Sequence, residues 1–149
     1  MKPPVKTVQE VLPLVPHRPP MVWIDEIVAV EADSGECRVR MSEDRHFWGR
    51  QGLRPSACLE FIAQAYGFCS VAYGLAQRPD KPPLKRAFLA AFKDVDFASD
   101  AAFDKVVSGE DLRVLIGGVR QIGPITMFSG RVLHKETELC HGQMKVFSE

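Results

Sequence analysis

The spacing of apolar positions changes twice along the chain. Between residues 21 and 43, "MVWIDEIVAVEAD" and "GECRVRMSE" are rich in β-branched and aromatic residues and meet at Ser34-Gly35, which predicts a β-hairpin. From Pro55 to about Ala76 the pattern becomes "PSACLEFIAQAYGFCSVAYGLA", apolar on nearly every side. That run predicts a helix of roughly 33 Å, buried all round rather than along one stripe. Gly67 and Gly74 lie inside it, each costing about 1 kcal/mol relative to alanine, so close approach by another element is the expected compensation. After the basic stretch "AQRPDKPPLKR" the spacing returns to that of strands in "AFLAAFKDVDF", "DLRVLIGGVRQ", "ITMFSGRVLHKE" and "LCHGQMKVFSE". At the other end, "TVQEVL" (residues 7–12) predicts a short helix, and "LPLVPHRPP" must be extended or turning because proline disfavours helix at and before itself. Gly117-Gly118 has no following Lys-Ser or Lys-Thr and opens no helix, so it reads as a β-bulge rather than a phosphate loop. The order predicts a single α+β domain over 1–149, an antiparallel sheet folded around one long helix.

Composition narrows the class. With 149 residues, 46% apolar and 26% charged, the chain suits one ordinary globular core. Nineteen basic residues balance nineteen acidic ones, so no global field would gather nucleic acid, and a charged partner must meet a local patch. The opening "MKPPVKTVQEVLPLVP" lacks the apolar core of a secretory signal, and no run reaches the roughly 18 apolar residues of a membrane helix, so a cytoplasmic protein is expected. Cys37, Cys58, Cys69 and Cys140 form no C-x-x-C pair and read as packed thiols. His134, Cys140 and His141 lack paired metal-ligand spacing.

The order of the motifs resembles the hot-dog fold β-hydroxyacyl-(acyl carrier protein) dehydratases over most of the chain. "VPHRPPMVWIDEIV" is similar to that family's L-P-H-R-x-P-x-L-x-x-D-x-V, "HFWG" to its H-F-x-G, and "LEFIAQAYG" to its I-E-x-x-A-Q-x-x-G on the central helix. "FLAAFKDVDF" and "SGEDLRVLI" resemble its third strand and the P-G-D-x-L that begins the next, and the fourteen-residue spacing from His46 to Glu60 is unbroken. The resemblance implies a dehydratase without metal or redox cofactor. His46 would take the proton next to the thioester carbonyl, and Glu60 would protonate the departing β-hydroxyl, the two coming from different subunits of a dimer. It also implies that Gln64 helps order the site and that Gly49 is the glycine of the turn. Gly52, Arg54, Ser56 and Ala57, beside that turn and at the start of the helix, are further candidates for binding substrate. The family's M-P-G before the helix is here Leu53, Arg54, Pro55, and the proline usual five residues after the histidine is Gln51. "GLRPSACLEFIAQA" resembles instead a branch linked to aryl-polyene synthesis, in which the histidine can be absent and a partner subunit is used.

These residue types suit the chemistry. Histidine provides a base near neutrality without large tuning. Glu60 is the only carboxylate between Asp44 and Asp80, and burial in an apolar helix is expected to raise its pKa and keep it an acid. Pro55 has no N–H to support the thioester oxygen, but as first helical residue it would leave those of Ser56 and Ala57 free. Glu60 and Gln64, four apart, share a helix face. His17 in "PHRPP" reads as a turn residue rather than a catalytic one, and Phe47 and Trp48 as packing for the site wall. Arg78, Lys81, Lys85 and Arg86 gather after the central helix and would steer an acidic acyl carrier protein with its phosphopantetheine-linked substrate. Three functions fit: a dehydratase, working as homodimer or heterodimer with a related subunit; a weakly catalytic or non-catalytic thioester-binding subunit of a heteromeric dehydratase; and a hot-dog thioesterase.

Overall fold

The computed structural model describes residues 7–77 and 87–148. Helix α1 (Val8–Val11) starts at Thr7, whose hydroxyl accepts from Glu10 N while the Glu10 carboxylate accepts from Thr7 N, a reciprocal cap that serves two first-turn donors. A 3₁₀ turn over Leu12–Leu14 follows, and the proline-rich stretch then turns as expected. Strands β1 (Glu26–Val30) and β2 (Gly35–Arg40) form the predicted hairpin, with Val30 opposite Gly35. β1 begins five residues later than Met21, and 21–25 is irregular. A small hairpin, β3 (Trp48–Gly49) and β4 (Gly52–Leu53), leads into helix α2 (Ala57–Gln77). Then come β5 (Ala87–Phe97), a short helix α3 (Asp100–Asp104), β6 (Asp111–Ile122), β7 (Ile125–His134) and β8 (Thr137–Ser148).

Six strands make one antiparallel sheet in the order β1-β2-β6-β7-β8-β5, so β1 and β5 are its edges. Alternation sets the register: β2 buries Cys37 and Val39 and turns Arg38 and Arg40 to water, and β6 buries Leu112, Val114 and Ile116 against Asp111 and Arg113 outside. The bulge expected at Gly117-Gly118 is present as a register shift between Gly117 and Arg120, with Gly118 at φ +60°. Among the described residues no helix is long and apolar enough to cross a membrane.

Helix α2 lies across this sheet but is not buried all round. Phe61, Ile62, Ala65, Phe68, Cys69 and Ala72 are buried, whereas Ala63, Gly67 and Gly74 are half-exposed and Ser70 is exposed. Close approach does occur, at glycines of the sheet rather than of the helix: a Cβ on Gly130 would collide with Ile62 Cγ2, and one on Gly35 would stand 2.5 Å from Cys69 Sγ. Beyond the helix's own backbone, no atom of the described residues lies within 4 Å of where a Cβ of Gly67 or Gly74 would be. The sheet covers only one side of the helix, so the compensation expected for those two glycines is absent among the described residues.

All four cysteines are free and buried, as read from the sequence. Cys37 Sγ and Cys69 Sγ are 3.5 Å apart, and the neighbouring thiol together with burial pushes the Cys37 thiol well above its ordinary range. Helix α3 was not anticipated from the hydrophobic pattern. Ser99 caps it by accepting from Ala102 N, and Phe103 is its buried anchor.

Candidate active site

Three edge-on aromatic rings join the segments that carry the site. Trp23, Phe47 and Phe61 meet with centroids 5.3, 5.7 and 5.0 Å apart. They tie the irregular stretch before β1, the turn before β3 and the first turns of α2 into one unit. Arg45 strengthens it, with its guanidinium 2.7 Å from Asp25 Oδ2, 2.9 Å from Val22 O and 5.1 Å from the Phe47 ring centre. Phe47 is therefore core rather than site wall, while Trp48 is half-buried. His46 sits between these two anchors with its own side chain exposed, and its Nδ1 is 3.3 Å from Met21 Sδ.

Glu60 and Gln64 stand one turn apart on α2, as predicted. Gln64 is fully buried and uses its whole amide: Oε1 accepts from Trp23 N at 2.8 Å, and Nε2 donates to Met21 O at 2.8 Å and Glu60 Oε1 at 3.1 Å. One glutamine thus fixes the acid's orientation and pins residues 21–23 to the helix. The partner missed in the sequence is His17, whose Nε2 is 3.2 Å from Glu60 Oε1. Arg18 holds the turn that presents this ring, with Nη1 donating to the carbonyls of Leu12 (3.0 Å), Val15 (2.6 Å) and His17 (2.6 Å). Its signal in the sequence was faint, a histidine in a proline-rich turn far from Glu60. Among the described residues no hydrogen bond or ion pair joins His46 to Glu60.

The expectation that burial raises the Glu60 pKa is reversed. Burial does push it up, but the hydrogen bonds from His17 and Gln64 and the charge of His17 together outweigh it and hold the carboxyl below its ordinary value. Its side chain is also 41% exposed in the single chain, so water still reaches it.

The turn before α2 differs from expectation too. The helix begins at Ala57, not Pro55, and Ala57 N donates to Arg54 O at 3.0 Å, so of the two donors expected to be free this one is engaged. Ser56 N donates to no group among the described residues. Gly52, at φ +97°, closes the β3–β4 turn in a conformation suited to glycine, and the Arg54 side chain lies over Gly49, 3.0 Å from where a Cβ would be. Gly49, Gly52 and Arg54 line one open cleft of about 770 Å³ with Pro55 and, from α3, Asp100 and Asp104. The structure thus gathers Glu60, Gln64 and His17 in one place and lines one cleft with Gly49, Gly52 and Arg54, with no hydrogen bond or ion pair between His46 and Glu60 among the described residues. Arg78, Lys81, Lys85 and Arg86 lie outside the described residues. His134 bonds Glu110 at 2.9 Å and His141 bonds Glu138 at 2.8 Å.

Comparison with known proteins gives this arrangement a family. The dehydratase heterocomplex ApeI:P from Xenorhabdus doucetiae is similar over 93% of this chain and 90% of its own, at 22% identity and TM-score 0.76. The PaaI protein of the phenylacetic acid degradation operon of E. coli is similar over 81% and 80%, at 12% identity and TM-score 0.59. The smu.793 protein of Streptococcus mutans, solved with acetyl CoA, is similar over 90% and 94%, at 10% identity and TM-score 0.63. These likenesses show the hot-dog fold. None of the curated proteins matches the chain. The profile of the ApeP-like family, described as ApeP dehydratase, matches residues 9–149, and the chain belongs to that family.

Proposed function

We propose that this chain removes water from a 3-hydroxyacyl thioester presented on the phosphopantetheine arm of an acyl carrier protein, giving the trans-2-enoyl thioester in fatty-acid-like or aryl-polyene synthesis, and that it works beside a second hot-dog subunit. The observation that carries this reading is Glu60, the one charged side chain on helix α2, oriented through Oε1 by Gln64 and His17, with Oε2 making no hydrogen bond among the described residues. In the elimination a base takes the Cα proton, the C–H electron pair becomes the new double bond, and the Cβ–O bond breaks as the hydroxyl accepts a proton and leaves as water. His46 suits the base. A thioether has no hydrogen to donate, so a hydrogen bond between Nδ1 and Met21 Sδ requires the tautomer with the hydrogen on Nδ1, the one that leaves the Nε2 lone pair for a base. His46 and Glu60 share no hydrogen bond or ion pair among the described residues, which is compatible with the arrangement the family resemblance implies, a base supplied to each Glu60 by a neighbouring subunit, a second copy or a related chain.

A subunit and substrate that cover Glu60 also remove its water. Desolvation then opposes the lowering caused by His17 and Gln64 and favours the protonated acid the reaction needs. The lowered carboxyl of the lone chain and the missing N–H at Pro55 favour a second reading, a thioester-binding subunit with little activity alone. A carboxylate could instead activate water for thioester hydrolysis.

One assay separates the three. The purified chain, alone and mixed with a related hot-dog subunit, is given 3-hydroxyacyl carrier protein while enoyl thioester and free thiol are followed. Enoyl product from the chain alone or from the mixture supports the dehydratase, and the mixture alone identifies a dependent subunit. Free thiol without enoyl product would replace this reading by hydrolysis.

A further inference from the structure

We propose that His17 is a positioning residue for Glu60: its Nε2 and the Gln64 amide grip Oε1 together, so that Oε2 is presented to the substrate's β-hydroxyl. The inference rests on the dehydratase reading and deepens it, giving the His17 contact a stated part in the proton transfer.

Three features of the structure support it. Nε2 of His17 lies 3.2 Å from the same carboxylate oxygen that Gln64 Nε2 reaches at 3.1 Å. Two donors on one oxygen fix the carboxylate plane and leave the other oxygen open. The ring's other nitrogen, Nδ1, is buried with no hydrogen-bond partner among the described residues, a costly placement that the fold retains. Finally, the backbone around His17 is fixed by the three Arg18 contacts with the carbonyls of Leu12, Val15 and His17, so the ring is presented by a braced turn rather than a loose loop. Arg18, next to His17 in the chain, is itself engaged with those carbonyls. Gln64, which completes the grip, does not titrate.

The geometry distinguishes two substitutions. His17→Gln places an amide N–H near the position of Nε2 and can keep the bond to Oε1, whereas His17→Leu fills similar space without a donor. With the partner subunit present if activity requires it, His17→Leu is expected to lower kcat about 10- to 100-fold with KM changed less than about threefold, as for loss of a contact that orients a proton-transfer group. His17→Gln should recover at least tenfold of that loss. The titration of the Glu60 carboxyl carbon, followed by NMR in protein carrying ¹³C-glutamate, should move to higher pH in His17→Leu, because a donor that favours the carboxylate is gone. Equal rates for the two variants, or a Glu60 midpoint that does not move in folded His17→Leu protein, would overturn the proposal. Wild-type protein that makes no enoyl product in any mixture would overturn the dehydratase reading instead, and the titration would still decide whether His17 holds Glu60.

Discussion

Gln64→Met tests the clamp on which the site depends, because methionine nearly matches glutamine in length and volume but makes none of its three bonds. The largest loss is at Trp23 N, whose bond to Gln64 Oε1 is buried; leaving such a donor unpaired costs about 1–3 kcal/mol. The Met21 carbonyl loses a partly buried bond worth about 0.5–1.5 kcal/mol. Glu60, reached by water and still bonded to His17, loses little stability but loses its orientation. The total is roughly 2–4 kcal/mol, and at about 3 °C per kcal/mol for a chain of this size Tm should fall by roughly 6–12 °C. Thermal and urea unfolding followed by circular dichroism measure both numbers, and an unchanged urea slope would place the effect on stability rather than on the denatured state. A Tm within about 2 °C of wild type would refute the reasoning, since it would mean that residues 21–23 are held to the helix without Gln64.

Other expectations follow from single contacts. Gly130→Ala should destabilise by about 1–3 kcal/mol through collision with Ile62, whereas Gly67→Ala, whose Cβ meets open space, should stabilise the isolated chain by about 0.5–1 kcal/mol; urea unfolding of both variants checks the contrast. Glu110 accepts from Val107 N, His134 and Lys135, which hold its carboxyl at about 2. Its folded pKa is depressed, so its contribution is complete above the ordinary carboxylate range and is lost as pH falls toward 2; Glu110→Gln should flatten that part of the stability-against-pH curve measured by urea unfolding. If the basic stretch meets an acidic carrier, Lys85→Glu with Arg86→Glu should weaken turnover of carrier-linked substrate at low salt and spare a short thioester, with the difference shrinking as the screening length falls toward about 8 Å. Equal effects on the two substrates would remove the docking role.

The hairpin, the long helix and the last three strands could be read from hydrophobic spacing because each is long enough for its period to show. Two shorter features escaped. Helix α3 has a single buried anchor, Phe103, and the start of α2 shifted to Ala57 because Pro55 and Ser56 sit in a turn. The close approach expected at Gly67 and Gly74 of α2 does not occur there; Gly35 and Gly130 of the sheet make the approach to the helix instead. Within the site, the pairing of Glu60 with Gln64 was legible from their four-residue spacing. The contact with His17 depends on how a proline-rich turn folds back, which no local pattern encodes. The same gap explains the reversed pKa of Glu60: its burial could be inferred from the apolar helix, while the donors that outweigh burial became visible only in three dimensions.

The central claim is that Glu60 is the acid of an elimination reaction. Its most direct test is the single-turnover rate of enoyl thioester formation by wild type and by Glu60→Gln, each with the partner subunit if activity requires it. Glutamine keeps the shape and cannot deliver the proton, so the account predicts a loss of at least about 10²-fold in rate with substrate binding retained. A Glu60→Gln protein that forms enoyl product at the wild-type rate would contradict it.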